Sequence, residues 1–302
     1  MGPDLDTLAT ALYVRIDDLL AQNPGWAPRR PVVGFAPKLS DAELVTLAVI
    51  SALLGYDNES QFVRYARAHL GPWFPYLPNR DGYNKRLRRS AEMIARVMGC
   101  LARECESWHD DVWLVDSTPV ECGTSRETQK RSDLAGWAQY GYCASHSRWF
   151  WGLRLHLVAT PAGLPIAFAL AGAKADERDV CADMIDAAGI ARPGQTLIAD
   201  NRYRSAAFEA DLNDVGITVL RPATRSEAPR PGARFLRPLR QIIESINQTL
   251  KGQLSLERHK GRTKAGVAAR IGARLLALTA AIWHNETYHR TRPSRSLTAY
   301  DH

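Results

Sequence analysis

The sequence predicts an α/β protein: a mixed sheet with helices packed on it, preceded by a mostly helical N-terminal domain. Three observations lead there. Up to about residue 107 the apolar residues recur at three- and four-residue spacing, as on amphipathic helices. Beyond Trp108 short runs rich in Val, Leu, Ile, Phe and Trp take over. The first three follow one another and the later ones alternate with helical stretches, so the sheet must combine antiparallel and parallel pairs.

Taken in order, Ser40-Asp41-Ala42-Glu43 is a capping box, followed at helical spacing by Leu44, Leu47, Ile50 and Leu54 until Gly55 stops the helix. A second helix covers 59–70 and ends at Gly71-Pro72, before the loop Trp73-Phe74-Pro75-Tyr76-Leu77-Pro78. A third opens at Tyr83 and runs to about Glu106, with Lys85, Arg86, Arg88 and Arg89 near its start. Four cations beside an aromatic suit a helix laid across nucleic-acid phosphates, and also suit a solvated helix face. Residues 1–107 are thus expected to form a helical DNA-binding domain and 108–302 the domain built on the sheet.

Strands are expected at 112–115, 150–158, 166–170, 196–199 and 217–220, with helices near 178–188 and 205–215. The polar stretch 122–147 reads as an inserted loop that reaches a ligand. In or beside it, Trp137, Trp149 and Trp151 would either pack in the core or stack on an extruded base. A helix over 235–253 buries Leu239, Ile243, Ile246 and Leu250. The last helix carries Ala268, Ile271, Leu275, Leu278 and Ile282 on one stripe, with Arg270 and Arg274 off it.

With 45% apolar and 24% charged residues the composition is that of a folded globule. The net charge of +7 is concentrated late: from Arg221 onward about 16 Lys and Arg face about 5 Asp and Glu, leaving the earlier part near −4. Such an asymmetry is the footprint of a polyanion binder. No run of about 18 uncharged apolar residues occurs and the N-terminus is acidic, so neither a membrane span nor a secretory signal is expected and the chain is placed in the cytoplasm. Cys100, Cys105, Cys122, Cys143 and Cys181 lack C-x-x-C spacing and read as free thiols. There is no phosphate-loop motif and no G-x-S-x-G elbow, and His156 on its apolar strand reads as a core histidine.

The chemistry rests on three acids. Asp116 ends the run Leu114-Val115-Asp116 and Asp200 ends Leu197-Ile198-Ala199-Asp200, so two carboxylates occupy equivalent strand ends. Taken alone, each would also suit a turn or a cap. On the 235–253 helix Arg240, Glu244 and Lys251 fall within about 40° of one another, a single polar row in which Arg240 and Glu244 could also simply pair. Acids and cations together suit phosphodiester chemistry, in which carboxylates hold two Mg²⁺ ions about 4 Å apart and cations hold the phosphate backbone.

These residues resemble the bacterial insertion-sequence transposases of the DDE class over nearly the whole chain. The family's Tyr-x2-Arg-x3-Glu-x6-Lys pattern is matched by Arg240, Glu244 and Lys251, with Arg237 in place of Tyr. Asn201-Arg202 stands where Lys-Gly is common, and Tyr203 is retained. Gly141-Tyr142-Cys143-Ala144-Ser145 and Trp151-Gly152-Leu153-Arg154-Leu155-His156-Leu157 resemble the segment after the first Asp. The resemblance implies a ribonuclease-H-like fold in which Asp116, Asp200 and Glu244 are catalytic and bind two divalent metal ions, Mg²⁺ with Mn²⁺ as substitute. Arg240, Lys251, Lys85, Arg86, Arg88, Arg89 and Arg202 would contact DNA. It further implies cleavage at terminal inverted repeats, strand transfer into target DNA and a homodimer on DNA. Two other readings stay open: a catalytically silent DNA-binding regulator derived from a transposase, and a nuclease that cuts without joining.

Overall fold

The computed structural model describes residues 3–29, 36–143, 147–224, 227–228, 230 and 232–300. Ala144 and Ser145, part of the inserted stretch, lie outside them. The helices are α1 (Pro3–Gln22), α2 (Asp41–Leu53), α3 (Glu59–His69), α4 (Arg80–Arg89), α5 (Ala91–Glu104), α6 (Arg126–Arg131), α7 (Glu177–Ala188), α8 (Ala206–Asp214), α9 (Ala233–Gly252) and α10 (Lys264–Tyr288). The strands are β1 (Val112–Gly123), β2 (Gln139–Cys143), β3 (Arg148–Ala159), β4 (Pro165–Gly172), β5 (Gln195–Ile198) and β6 (Ile217–Leu220). They form two compact units: Met1–Cys105 with Leu250–His302, and Glu106–Thr249.

The first unit is helical. Its α2 starts as expected: Ser40 Oγ accepts from the Glu43 amide at 3.0 Å, and the Glu43 carboxylate accepts from the Ser40 amide at 2.5 Å. The single helix expected from Tyr83 to Glu106 is two, α4 and α5, broken at Ser90. There the amide bonds Leu87 three residues back, and the hydroxyl donates to the Arg86 carbonyl at 3.1 Å, which ends the regular ladder. Within the stretch expected to be mostly helical, α1 was not singled out; it buries Leu5, Leu8, Leu12, Ile16 and Leu19 at three- and four-residue spacing.

The core of this unit is α10, packed by α1, α2, α4 and α5. The sequence places 250–302 with the sheet; in the structure that segment packs with the N-terminal helices. The reason is the helix surface: from Val267 to Asn285 it is buried almost all round, so it needs partners on every side. Arg274, expected off the apolar stripe, is buried too and donates to the carbonyls of Leu254 at 2.8 Å and Arg270 at 2.9 Å. By length and composition α10 could cross a membrane, but 83% of its most apolar window is buried in the protein.

The second unit is a six-stranded mixed sheet in the order β2-β3-β1-β5-β6, with β4 also on β3, and helices α7, α8 and α9 around it. Strand β3 runs antiparallel to β1 on one edge; on its other edge it pairs first with β2 through Gly152 and then with β4 from Leu153. Strands β1, β5 and β6 are parallel. Without β2 this is the ribonuclease-H-like arrangement of three antiparallel strands followed by two parallel ones. The stretch 122–147, expected to be loop, contains α6 and β2.

Candidate active site

The site begins at the register of two parallel strands. Leu114 pairs with Ile198, and Asp116 and Asp200 each lie two residues further on, so the carboxylates stand level on neighbouring chains. Asp200 follows the end of β5, as expected, and caps the next turn by accepting from the Arg202 amide at 2.8 Å. Asp116 does not end its strand: β1 continues to Gly123 because β3 accompanies it, with Leu157 opposite Asp116.

Helix α9 completes the crevice. Leu239, Arg240, Ile243 and Glu244 share it with Asp116 and Asp200, and its volume of about 30 Å³ is room for one water or one ion. Ile243, Ile246 and Leu250 are buried, which anchors the helix, whereas Arg240 and Glu244 are exposed and make no ion pair with each other. One turn beyond Glu244, the Asn247 Nδ2 donates to Asp116 Oδ2 at 2.9 Å.

Burial, followed by the negative charges of Asp200 and Glu177, outweighs the Ser117 amide hydrogen bond and the Arg202 charge, pushing the Asp116 carboxyl up to about 6. Asp200 is raised as well, chiefly by burial and by Glu177, against the Arg202 amide and the charges of Arg202 and Arg240. Two carboxylates that repel one another across this crevice have the donor chemistry of a hard divalent cation. Among the described residues, however, no three His, Cys, Asp or Glu side chains are gathered closely enough to hold a metal ion. The expected three-carboxylate set is a level pair with a third acid on the crevice wall. From α9 it is Asn247 that bonds Asp116.

Sequence reasoning missed Glu177, the first residue of α7. Its Oε1 accepts from Ser117 Oγ at 2.9 Å and Arg202 Nη1 at 3.0 Å, and lies 3.6 Å from Arg154 Nη1. Arg154 is buried on β3 and donates to Ser117 Oγ at 3.1 Å and the Tyr142 carbonyl at 3.0 Å. Arg154 lies within a motif already singled out and Ser117 directly follows Asp116, but Glu177 looks in sequence like any acid opening a helix. Beside them His156 is fully buried with both ring nitrogens unpartnered, and burial brings its pKa down to about 4, so it is a neutral core residue as expected.

The remaining expected DNA-contacting residues divide. Arg202 is held by Glu177 yet remains 43% exposed. Lys251, at the end of α9, belongs to the helical unit and pairs with Glu257 at 3.5 Å. Lys85 and Arg89 are exposed on α4. Arg86 is instead structural: it donates to the Leu39 carbonyl at 2.5 Å and to Asp41 at 2.6 Å, tying α4 to the start of α2. Of the tryptophans, Trp149 is 71% exposed on β3 with its ring tilted against Tyr142 at 5.3 Å, while Trp151 is buried.

No curated protein matches the chain. Among solved structures it is similar to the piggyBac transposase, in a synaptic complex with hairpin DNA, at 11% identity and a TM-score of 0.42, over 97% of this chain and 76% of that one. The family model for the transposase DDE domain matches residues 107–280, more than half of the chain and all of the crevice just described. The chain therefore belongs to the transposase DDE domain family.

Proposed function

We propose that the protein is a DNA transposase of a bacterial insertion sequence, cutting at terminal inverted repeats and joining the freed 3′ ends to target DNA. The observation that carries this is the level placement of Asp116 and Asp200 on parallel strands, with Arg240 and Glu244 on the wall of the same crevice. Transposases of this family generally use divalent metal ions. Here Asp116 and Asp200 would hold them, with Glu244 as the third carboxylate. Two bound Mg²⁺ ions, or Mn²⁺, would activate the attacking oxygen and offset charge on the leaving one.

The protein's own groups have distinct tasks. Asp116 and Asp200 are kept partly desolvated, so a cation gains more by meeting them there than in water. Arg240 flanks the pair and makes no ion pair with a carboxylate among the described residues, which suits it to hold a non-bridging phosphate oxygen. Arg202 is shared between Glu177 and the site, so Glu177 positions it. A homodimer acting on nucleoid DNA in the cytoplasm would supply two such sites, one for each transposon end.

The test is cleavage of a supercoiled plasmid carrying the flanking DNA, with Mg²⁺ or Mn²⁺, by the native protein, Asp200→Ala and Glu244→Ala. Cation-dependent nicking and joining, lost in both variants, is expected. Cutting without joined products would make it a nuclease. Binding without cutting under either ion would leave the DNA-binding regulator.

A further inference from the structure

Within the helical unit, away from the carboxylates, lies a polar cavity of about 400 Å³ at the starts of α3, α4 and α10. Its cations are Arg80, Arg88, Lys260, Arg262 and Arg270; its acids are Asp57 and Glu59. The acids are already engaged, Asp57 by Lys260 at 3.0 Å and Glu59 by Arg270 at 2.5 Å and Asn84 at 2.7 Å. That leaves Arg88 and Arg262 with no hydrogen bond or ion pair among the described residues. Two unneutralised guanidiniums thus share one concave surface, and the positive ends of three helices add to their field. Gly266 packs tightly behind two of the lining side chains: a Cβ there would stand 2.9 Å from Thr263 Oγ1 and 3.0 Å from Arg270 Nη1.

From this arrangement we infer that the cavity is a seat for the phosphate backbone of DNA. The volume is many times the roughly 30 Å³ of a water, enough for a phosphodiester with its sugars. Its lining holds no aromatic side chain on which a base could stack, so the cavity grips backbone and is indifferent to sequence. Of the cations lining the cavity only Arg88 was expected to touch DNA; the cavity adds Arg262, 174 residues later in the chain, and makes the pair a single binding element. The inference rests on the DNA-binding reading above and gives it a location.

The test is equilibrium binding of the full-length protein to duplex DNA of unrelated sequence across a salt series, comparing native protein with Arg88→Gln/Arg262→Gln and Arg88→Lys/Arg262→Lys. Neither side chain holds another in place, so the thermal unfolding midpoint should be unchanged. Loss of two phosphate contacts should weaken binding about tenfold or more at low salt and make the log–log salt slope shallower by about 1 to 2 in the glutamine variant. The lysine variant should keep most of the slope. Native protein that binds duplex while the glutamine variant matches it in affinity and slope would overturn the cavity and leave the DNA reading intact. Native protein that binds no duplex at low salt would remove both. Titration with inorganic phosphate alone separates the sources: phosphate binding lost in the glutamine variant with duplex binding unchanged would assign the cavity to a free anion and overturn the proposal.

Discussion

Burial and neighbouring carboxylates make the charged form of Asp116 costly in the folded protein. Its carboxyl titrates near 6 when folded against an ordinary 3.8, so between those values the folded chain holds more protons than the unfolded one. Stability from this group is therefore full below about pH 3.8 and lost as the pH rises through 6. Asp116→Asn should raise the unfolding free energy at pH 7.5 by of order 2 kcal/mol, with the gain shrinking toward pH 4, as urea titrations at both pH values would reveal. Millimolar Mn²⁺ should raise the midpoint of the native protein at pH 7.5 and do much less for the variant, because a cation removes the same repulsion. A native midpoint indifferent to Mn²⁺ would count against the carboxylate pair as its seat. Arg154 is buried and ion-paired. Glu177→Gln would leave its guanidinium without an anionic neighbour and should cost about 3 kcal/mol. A double-mutant cycle with Arg154→Met should recover part of that loss if the pair is coupled, and show simple additivity if it is not.

At the level of elements, what was legible in the sequence depended on whether burial left a periodic trace. The capping box of α2 and the apolar runs of β3, β5 and β6 did so, and the structure has them within a residue or two of expectation. In β2 the period of two is real, with Gly141 and Cys143 buried and Tyr140 and Tyr142 exposed, but a glycine inside and aromatics outside invert the usual contrast. The strand expected at 112–115 runs on through Ser117-Thr118-Pro119 to Gly123. Beyond Leu114 only β3 accompanies β1, so one edge is open and tolerates Pro119 in mid-strand. The Asp116 and Asp200 pair was legible because each follows an apolar run, whereas Glu177 was not, because only the fold brings a helix start to Ser117. Gly152 has a similarly non-local reason. A Cβ there would stand 2.1 Å from the Val120 carbonyl, at the irregular end of the β1–β3 ladder. Gly152→Ala should therefore cost about 3 kcal/mol or more and lower the thermal midpoint, since rigid backbone must move to admit one methyl. A variant as stable as the native protein would mean that this ladder is looser than its register implies.

For the whole molecule the division of the chain matters more than the division of its sequence. The family match ends at residue 280, inside α10, and the sequence pattern likewise invites one continuous domain from 108 onward. Yet α10 is buried among the N-terminal helices, with Leu275, Leu276 and Leu278 fully enclosed, and near its end Tyr300 donates to Asn285 Oδ1 at 2.6 Å. Trp283 reaches back to Glu104 on α5 at 3.0 Å. A fragment of residues 1–107 therefore lacks the helix that its other helices enclose, and the apolar faces of α2 and α5 would be left to water. It should show little cooperative unfolding by circular dichroism, whereas residues 1–105 joined by a short flexible linker to 250–302 should unfold in one transition. In the full chain Leu278→Ala should cost about 2 to 5 kcal/mol through the cavity it leaves. If the 1–107 fragment unfolded cooperatively by itself, α10 would be a dispensable cover rather than the core. The distinction bears on function, because the division between units falls inside α9, between Thr249 and Leu250, just after Glu244. Loss of the α10 core should then loosen the last turn of the helix that carries the third acid, and Leu278→Ala should slow DNA cutting at temperatures below its own melting transition. Cutting that falls only in step with the unfolded fraction would show that the two units serve the reaction independently.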